Sequence, residues 1–223
     1  MAKRDNPEPI PQLPLSRERV LDAALSMADR EGIEALSMRK LAQELGVKAM
    51  SLYNHVTNKD DILDGIVDIV ISEIERPDLG LDWKIAMRRR SISAHAVLLC
   101  HPWMITTMVS RVNKGAAMLH YVDATLGCLN EAGFSLEMAD YAWNAIDSHI
   151  YGFTLQELNF PFEPGEYAQK AKNYISLIPV NRYPYLNQLA HYVMEGRYNG
   201  VYDFEFGLDL ILDGLDQLRK NTQ

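Results

Sequence analysis

The sequence predicts an all-α protein with a small N-terminal domain and a larger C-terminal one. Apolar residues recur every three to four positions through most of the chain, which is the period of a helix buried on one face. Serine, aspartate or asparagine precedes many of these segments and glycine or proline follows them, as is typical of helix starts and ends. No segment shows convincing strand-like alternation.

Length and composition are those of a globular protein with a sizeable core. The chain has 223 residues, of which 48% are hydrophobic and 23% are charged. No stretch approaches the roughly 18 apolar residues of a membrane span, and the N-terminus lacks the apolar run of a secretory signal. We therefore expect a cytoplasmic protein with no membrane partner. Two cysteines, Cys100 and Cys128, are too few for a zinc motif, and we expect both in the core.

The N-terminal part is predicted to contain an arm and four helices. Residues 1–14 include four prolines and are expected to be flexible, because they can bury little apolar surface. Ser16 and Ser37 have the position of N-caps, and Gly32 and Gly46 follow the first two helices. With their caps, the four predicted helices cover residues 16–32, 37–46, 49–56 and 58–74.

The remaining chain is predicted to be helical as well, with breaks at prolines and glycines. The predicted helices cover residues 82–99, 104–111, 114–132, 136–159, 167–178, 184–195 and 204–220. The last one carries an apolar stripe at helical spacing. That stripe could pack against the protein's own core, and its length at the end of the chain also suits a bundle with a second copy.

Charge is distributed unevenly along the chain. The net charge of −8 would by itself argue against a nucleic-acid partner, because phosphate contacts need basic residues. Residues 37–59, however, contain four basic residues and one acidic residue, for a net +3, whereas the rest carries −11. This segment has a short helix, a glycine turn and a second short helix, the pattern of a helix-turn-helix. We therefore predict a DNA-binding domain at 15–60, a ligand-binding and dimerisation domain at 61–223, and a connecting helix at 58–75.

Side chains that do not pack between the two short helices point outward and are predicted to contact DNA. Small or adaptable groups at the start of the second helix allow close approach to base edges, and the polar groups after it can hold phosphates. The predicted DNA-binding residues are Ser37, Arg39, Lys48, Ala49, Met50, Ser51, Tyr53, Asn54, His55 and Lys59.

These residues resemble the DNA-binding region of the tetracycline-repressor (TetR) family. The matching segments are GIEALSMRKLA at 32–42, LGV at 45–47, SLYNHV at 51–56 and NK at 58–59. The body also resembles that of the tetracycline repressors, in GFSLE at 133–137 and FGLDLILDGL at 206–215. The resemblance implies a homodimer that binds a double-stranded DNA operator, a ligand cavity in each body, and loss of DNA affinity when a small-molecule effector binds.

The resemblance also implies a dimer interface, since in this family the long helix and the last helix pack with their partners as a four-helix bundle. The residues expected there are Phe204, Leu208, Ile211, Leu212 and Leu215. Family habit favours repression over activation.

The chain departs from the tetracycline repressors at positions that read DNA and hold the drug. Ala49 stands where those proteins have a base-contacting glutamine, so a different operator is expected. Thr107 replaces the histidine that holds the drug-bound magnesium ion, and Glu75 replaces a drug-binding histidine. Only Glu157 matches an acidic position of the metal's water shell. These differences argue against tetracycline as the effector, and we predict neither a metal nor a cofactor.

Soft and aromatic side chains on the helices that line the cavity in related proteins are candidates for effector binding, although they could equally be ordinary core. Asp147 and Glu157 lie ten positions apart, so they can share a helix face and hold a cationic or hydroxylated ligand, or simply be solvated. The predicted ligand-binding residues are Trp103, Thr107, Met108, Arg111, Met118, Tyr121, Trp143, Asp147, Phe153 and Glu157.

Two other function classes remain beside a ligand-responsive regulator. A DNA-binding regulator without an effector would keep the helix-turn-helix domain at 15–60, which we call the reading head, and would lack a sensing cavity. A small helical enzyme lacks support, since the sequence has no Gly-x-Ser-x-Gly elbow, no phosphate-cradling glycine loop and no His and Cys at a plausible spacing. We therefore expect a regulator and not an enzyme.

Overall fold

The computed structural model describes residues 14–161, 166–198 and 203–222, and every regular element in them is helical. The α-helices are α1 (Arg17–Glu31), α2 (Met38–Glu44), α3 (Ala49–Leu52), α4 (Lys59–Glu73), α5 (Trp83–Cys100), α6 (Trp103–Ser110), α7 (Ala116–Glu131), α8 (Leu136–Leu158), α9 (Tyr167–Tyr174), α10 (Pro184–Met194) and α11 (Phe204–Thr222). None of these is by itself long and apolar enough to cross a membrane; the bent pair α5 and α6 meets that test together, by length and composition only. The all-α fold class is confirmed.

Most helix ends agree with the predicted ones to within about two residues. Two elements differ. The third helix ends at Leu52 instead of residue 56, because the chain turns there with the N–H groups of His55 and Val56 both donating to the Leu52 carbonyl. The segment predicted as one helix at 167–178 is α9 followed by a 3₁₀ turn at Ile175–Leu177. Residues 1–13 of the predicted arm lie outside the described residues.

Side-chain caps define the starts of the N-terminal helices. Ser16 Oγ accepts the N–H of Arg19 at 3.3 Å, and Ser37 Oγ accepts the N–H of Lys40 at the same distance. Asn58 Oδ1 likewise accepts an N–H of the first turn of α4 at 2.9 Å. Each cap pairs a backbone donor that the helix itself leaves without an acceptor.

The chain divides into two compact units. The first contains the residues up to Ser72 together with Thr106–Leu119, and the second contains Glu73–Ile105 and the residues from His120 onward. In the first unit, α1, α2, α3 and α4 enclose a core of Val20, Ala24, Leu41, Leu52, Ile62 and Ile66, all almost completely buried. The domain boundary predicted at residue 60 stays a prediction.

The second unit is built on the packing of α5, α8 and α11. Its core includes Met87, Ala94, Leu98, Ile146, Ile150, Leu208 and Leu212. Near one end, the rings of Trp83 and Phe134 meet edge to face with centroids 5.0 Å apart. These three helices therefore position the side chains in the interior of this unit.

The two cysteines are both free thiols but differ in burial. Cys128 is buried, as expected, and burial raises its pKa to about 11. Cys100 is exposed, so its predicted place in the core is wrong. It is the last residue of α5, where Leu98 carries the inward face of the helix.

Candidate functional site

The turn between α2 and α3 sets the direction of the shorter helix. Gly46 adopts a left-handed backbone with φ of 67°, which a side chain would disfavour. The N–H of Val47 then donates to the carbonyl of Ala42 at 2.9 Å, so the chain reverses after α2. Leu52 is fully buried and anchors α3. This is a helix-turn-helix, in which the second helix presents its outer face to a DNA groove.

All ten residues predicted to bind DNA are exposed or half-buried. Met50, on the outer face of α3, has 76% of its surface exposed. Arg39, Lys48 and Lys59 are exposed and have no ion-pair partner among the described residues. Such cations suit phosphate binding, because no carboxylate has to be displaced first. DNA contact by these residues stays a prediction.

An ion pair ties the start of α1 to the start of α4 beside this surface. Arg17 Nη2 donates to Asp61 Oδ1 at 2.6 Å, and Arg17 Nη1 donates to the carbonyl of His55 at 3.3 Å. Asp61 also accepts the N–H of Thr57 at 2.8 Å. These bonds, that from Arg17 first, lower the pKa of Asp61 to about 2. The segment between α3 and α4 is thereby held in place.

Arg111, predicted to bind the effector, binds α4 in this structure. Its Nη1 donates to Asp60 at 2.9 Å and its Nη2 donates to Asp64 at 2.8 Å, one helical turn further along. These hydrogen bonds, Asp60 first, raise the pKa of Arg111. Each terminal nitrogen thus directs one of its two N–H groups at α4, and Nε has no hydrogen-bond partner among the described residues.

A second contact joins the start of α7 to α4. Asp68 Oδ1 accepts the N–H of Met118 at 3.0 Å, so a side chain of α4 caps α7. Gly115 lies against this carboxylate, and a Cβ there would be only 2.0 Å from Asp68 Oδ1. We call these contacts of Arg111 and Met118 with α4 the α4 strap.

In the second unit, Arg90 of α5 is completely buried. Its Nη2 donates to Asp147 Oδ1 of α8 at 2.6 Å, and its guanidinium lies over the ring of Tyr121, 4.7 Å from the centroid. Burial lowers the pKa of Arg90, but Tyr121 and Asp147 together raise it by more, so the side chain is a cation. Nε and Nη1 of Arg90 have no hydrogen-bond partner among the described residues.

Asp147 accepts hydrogen bonds from three side chains. Besides Arg90, the indole N–H of Trp143 donates to Oδ2 at 2.7 Å, and the hydroxyl of Tyr151 donates to the same oxygen at 3.0 Å. Burial first, and then the negative charge of Asp147, raise the pKa of Tyr151. The carboxylate is thus used within the protein.

His95 of α5 lies among aromatic rings. It stacks on Phe204 with centroids 4.2 Å apart and meets Phe153 edge-on at 5.8 Å. Its Nδ1 is 2.8 Å from Thr154 Oγ1, and its Nε2 is 3.1 Å from Glu157 Oε2. Because the Thr154 hydroxyl donates to a backbone carbonyl of α8, it accepts from His95. Burial, the largest influence, lowers the pKa of His95.

The ten predicted ligand-binding residues are divided between the two compact units. Trp103, Tyr121, Trp143, Asp147, Phe153 and Glu157 belong to the second unit, and Thr107, Met108, Arg111 and Met118 belong to the first. In the second unit, Tyr121, Trp143 and Asp147 gather around Arg90. Phe153 and Glu157 gather around His95. Effector binding by these residues stays a prediction.

Sequence reasoning missed Arg90, although the helical spacing contained a signal for it. Arg90 follows Arg88 and Arg89, and a run of like charges is usually a solvated face. Counted from the buried Met87 and Ala94, however, Arg90 falls on the inward face of α5. The periodicity was the better guide at this position.

The apolar stripe of α11 packs within the chain itself. Phe204, Leu208, Leu212 and Leu215 are buried within the chain and Ile211 is half-buried. A dimer interface formed by these residues stays a prediction. The opposite face of α11 exposes Phe206, Leu210 and Leu218, four or eight positions apart. On α8, Tyr141 and Leu155 are also exposed. These are the apolar side chains that a second copy could cover.

Comparison with known proteins matches both parts of the chain. Residues 20–66 match the family of bacterial regulatory proteins called tetR, and residues 76–219 match the tetracyclin repressor-like C-terminal domain. DrrR1, an HTH-type transcriptional repressor of Streptomyces coeruleorubidus, is 31% identical over 227 residues, covering 93% of this chain and 80% of DrrR1. The class C tetracycline repressor protein of Escherichia coli is 29% identical over 216 residues, covering 93% of this chain and 94% of that protein.

Solved structures of ActR from Streptomyces coelicolor have the same fold. Apo ActR is 30% identical to this chain with a TM-score of 0.78, covering 96% of this chain and all of ActR. ActR in complex with actinorhodin is also 30% identical, with a TM-score of 0.74 over 93% of this chain and 99% of that one. The helix-turn-helix and the helical body thus match the same group of proteins, and the chain belongs to the TetR family of bacterial transcriptional regulators.

Proposed function

We propose that this protein is a ligand-responsive repressor, which binds a palindromic DNA operator as a homodimer and releases it when a small-molecule effector binds in the helical body. The reading surface, formed by the exposed face of α3 with Arg39, Lys48 and Lys59 around it, carries the proposal. Among the described residues, none of these three cations has an ion-pair partner. The complex of the related ActR with actinorhodin supports a response to a small-molecule effector. Such a regulator works in the cytoplasm, where its operator is.

Different residues of the reading surface would contact the bases and the phosphates. Ala49 and Met50 open α3 and can approach base edges, where apolar side chains meet the methyl group of thymine. Lys48 and Lys59 lie before and after this helix and would bind the DNA backbone, with the hydroxyl of Tyr53 as a further donor. Phosphate contacts of this kind make affinity fall steeply with salt concentration.

Two copies of the head are needed to read a palindrome. We propose that the exposed apolar faces of α8 and α11 form the dimer interface, in place of the buried stripe of α11. A two-fold axis there would present two α3 helices to successive major grooves, roughly 34 Å apart. Phe206 and Leu210 are the central side chains of this interface.

Release requires that the effector prefers a conformation in which the heads no longer fit DNA. Shifting a population from 1:99 to 99:1 takes a preference of about 5.5 kcal/mol. Helices α6 and α7 each contribute residues to both compact units, and the α4 strap joins them to the helix that follows the reading head. We propose that effector binding acts on this strap.

The test is selection of bound DNA from a random pool by the purified full chain, followed by titration of the selected site. We expect a palindromic site. Lys59→Ala should weaken binding to all sequences similarly and reduce the slope of log affinity against log salt by about 2, because each of the two protomers loses one phosphate contact. Tyr53→Ala should also weaken binding.

Lys172→Ala is the matched control, since Lys172 is an exposed lysine of α9 outside the reading surface. It should leave both the affinity and the salt slope unchanged. Absence of any enriched site at low salt would refute the proposal, and so would an equal loss of affinity in the Lys172 and Lys59 variants.

A further inference from the structure

Arg90 has hydrogen-bond donors that the protein does not use. A guanidinium carries five N–H groups. Here one terminal nitrogen, Nη2, donates to Asp147, while Nε and Nη1 have no acceptor among the described residues. The side chain is fully buried, so its surroundings must supply what bulk water would otherwise give.

The contact between Arg90 and Asp147 is a single hydrogen bond and not a bidentate pair. Arginine and a carboxylate usually meet through two parallel hydrogen bonds, which satisfy two donors at once. Asp147 instead makes one contact with Arg90 and gives its other oxygen to Trp143 and Tyr151. The carboxylate neutralises the charge of Arg90 but leaves most of its donors unpaired.

The number of hydrogen-bond donors around Asp147 argues against a cationic ligand there. Three donors already surround this carboxylate, including a positive charge at 2.6 Å. An incoming ammonium group would have to displace one of them and would meet Arg90 as a like charge in a buried setting. Around Arg90 and Asp147, hydrogen-bond donors outnumber acceptors, so a ligand that satisfies Arg90 must supply an acceptor.

We infer that Arg90 is the recognition point for an acceptor oxygen of the effector, a carbonyl, phenolate or carboxylate group, on Nε or Nη1. This inference rests on the proposed effector response and deepens it by naming the chemical class. Aromatic side chains surround the cation, with the ring of Tyr121 beneath it and Trp143 and Tyr151 on its counter-ion. Aromatic neighbours of this kind favour a flat unsaturated molecule that carries such an oxygen.

The test uses aromatic scaffolds of one to four rings, each prepared in three versions. The methyl ketone carries the acceptor oxygen, the isopropenyl analogue replaces C=O by C=CH₂ at nearly the same shape, and the aminomethyl analogue carries a cation. Dissociation constants are measured on the DNA-free full chain by tryptophan fluorescence and calorimetry. We expect at least one ketone to bind about ten-fold or more tightly than its isopropenyl analogue, because only the ketone satisfies the buried donors.

The variant Arg90→Met/Asp147→Asn removes both charges together, which avoids leaving a buried carboxylate unpaired. In this variant the preference for the ketone should fall to within about two-fold. Arg88→Met is the matched control, because Arg88 is on the same helix but pairs with Glu205 and Asp209 at the surface, and it should keep the full preference.

Nuclear magnetic resonance of protein labelled with ¹⁵N-arginine gives a readout that a structural role would not move. The Nε–H resonance of Arg90, assigned by its absence in the double variant, should shift on addition of the ketone and not of the isopropenyl analogue. Equal affinities, a preference for the aminomethyl series, or no binding by any scaffold would overturn the inference. None of these results affects operator selection, so failure of the proposed function is recognised separately by the absence of an enriched palindrome.

Discussion

Gly115 is expected to tolerate no side chain, because of the Asp68 carboxylate beside it. A Cβ at position 115 would lie 2.0 Å from Asp68 Oδ1, 2.2 Å from Cγ and 2.7 Å from Cβ. These distances are far below van der Waals contact, so Gly115→Ala must displace the Asp68 side chain. Displacement breaks the hydrogen bond to the N–H of Met118, which caps α7.

The magnitude follows from two opposing contributions. Loss of a capping hydrogen bond costs about 1 kcal/mol, and the forced repacking adds roughly 1–3 kcal/mol. The alanine recovers about 0.4–1 kcal/mol by restricting the unfolded chain. We expect a net cost of about 1–3.5 kcal/mol. In an Asp68→Gly background, all three clashing atoms are gone and Gly115→Ala should cost close to nothing.

Hydrogen exchange at the Met118 amide is the assay, because it reports local opening at the bond in question. A cost of about 1–3.5 kcal/mol corresponds to exchange that is roughly 5 to 400 times faster. The double-mutant cycle should then give a coupling of about 1–3.5 kcal/mol between positions 68 and 115. Additive effects, or unchanged protection of Met118 in Gly115→Ala, would refute the reasoning.

Two further predictions concern the first compact unit, with Gly127 of the second unit as a control position. Gly65→Ala should cost roughly 1 kcal/mol of stability and lower the melting temperature, because its Cβ would lie 2.6 Å from a methyl carbon of Leu21. Gly127→Ala places its Cβ in open space, so it should raise the melting temperature slightly. Asp61→Asn should cost about 1 kcal/mol at pH 7 in urea unfolding, since the pKa of Asp61 is lowered to about 2 chiefly by the partly exposed Arg17.

The sign of the pH dependence follows from the lowered pKa. Asp61 contributes its stability above its unfolded pKa, near 4, and loses it as the pH falls through about 2. The difference between wild type and Asp61→Asn should therefore disappear between pH 4 and pH 2. A stability difference that persists unchanged at pH 2 would contradict the prediction for Asp61. Equal shifts of melting temperature in Gly65→Ala and Gly127→Ala would contradict the prediction for Gly65.

The reading head was predictable because its signals are local. The cap at Ser37, the turn at Gly46 and the buried Leu41 and Leu52 lie within sixteen positions of one another, and helix caps and turns depend on neighbouring residues. The helix ends and the helix-turn-helix were accordingly confirmed. The shorter α3 is the exception, since its last turn depends on how the chain enters α4.

Which side of α11 packs inside the chain was less predictable. An apolar stripe has the same sequence pattern whether its own core or a partner covers it. Only the packing of α5 and α8 against Leu208 and Leu212 placed that stripe inside the chain and left Phe206 and Leu210 outside.

By itself, the sequence determined the helical fold class, the position of the reading head and the resemblance to the TetR family, because these depend on periodicity and on short motifs. Only the tertiary structure decided which charges are partners. Arg90 and Asp147 are 57 positions apart, and Arg111 and Asp64 are 47 apart. Long-range packing brings such groups together and sets how many of their donors remain unpaired, and no local pattern of residues encodes that number.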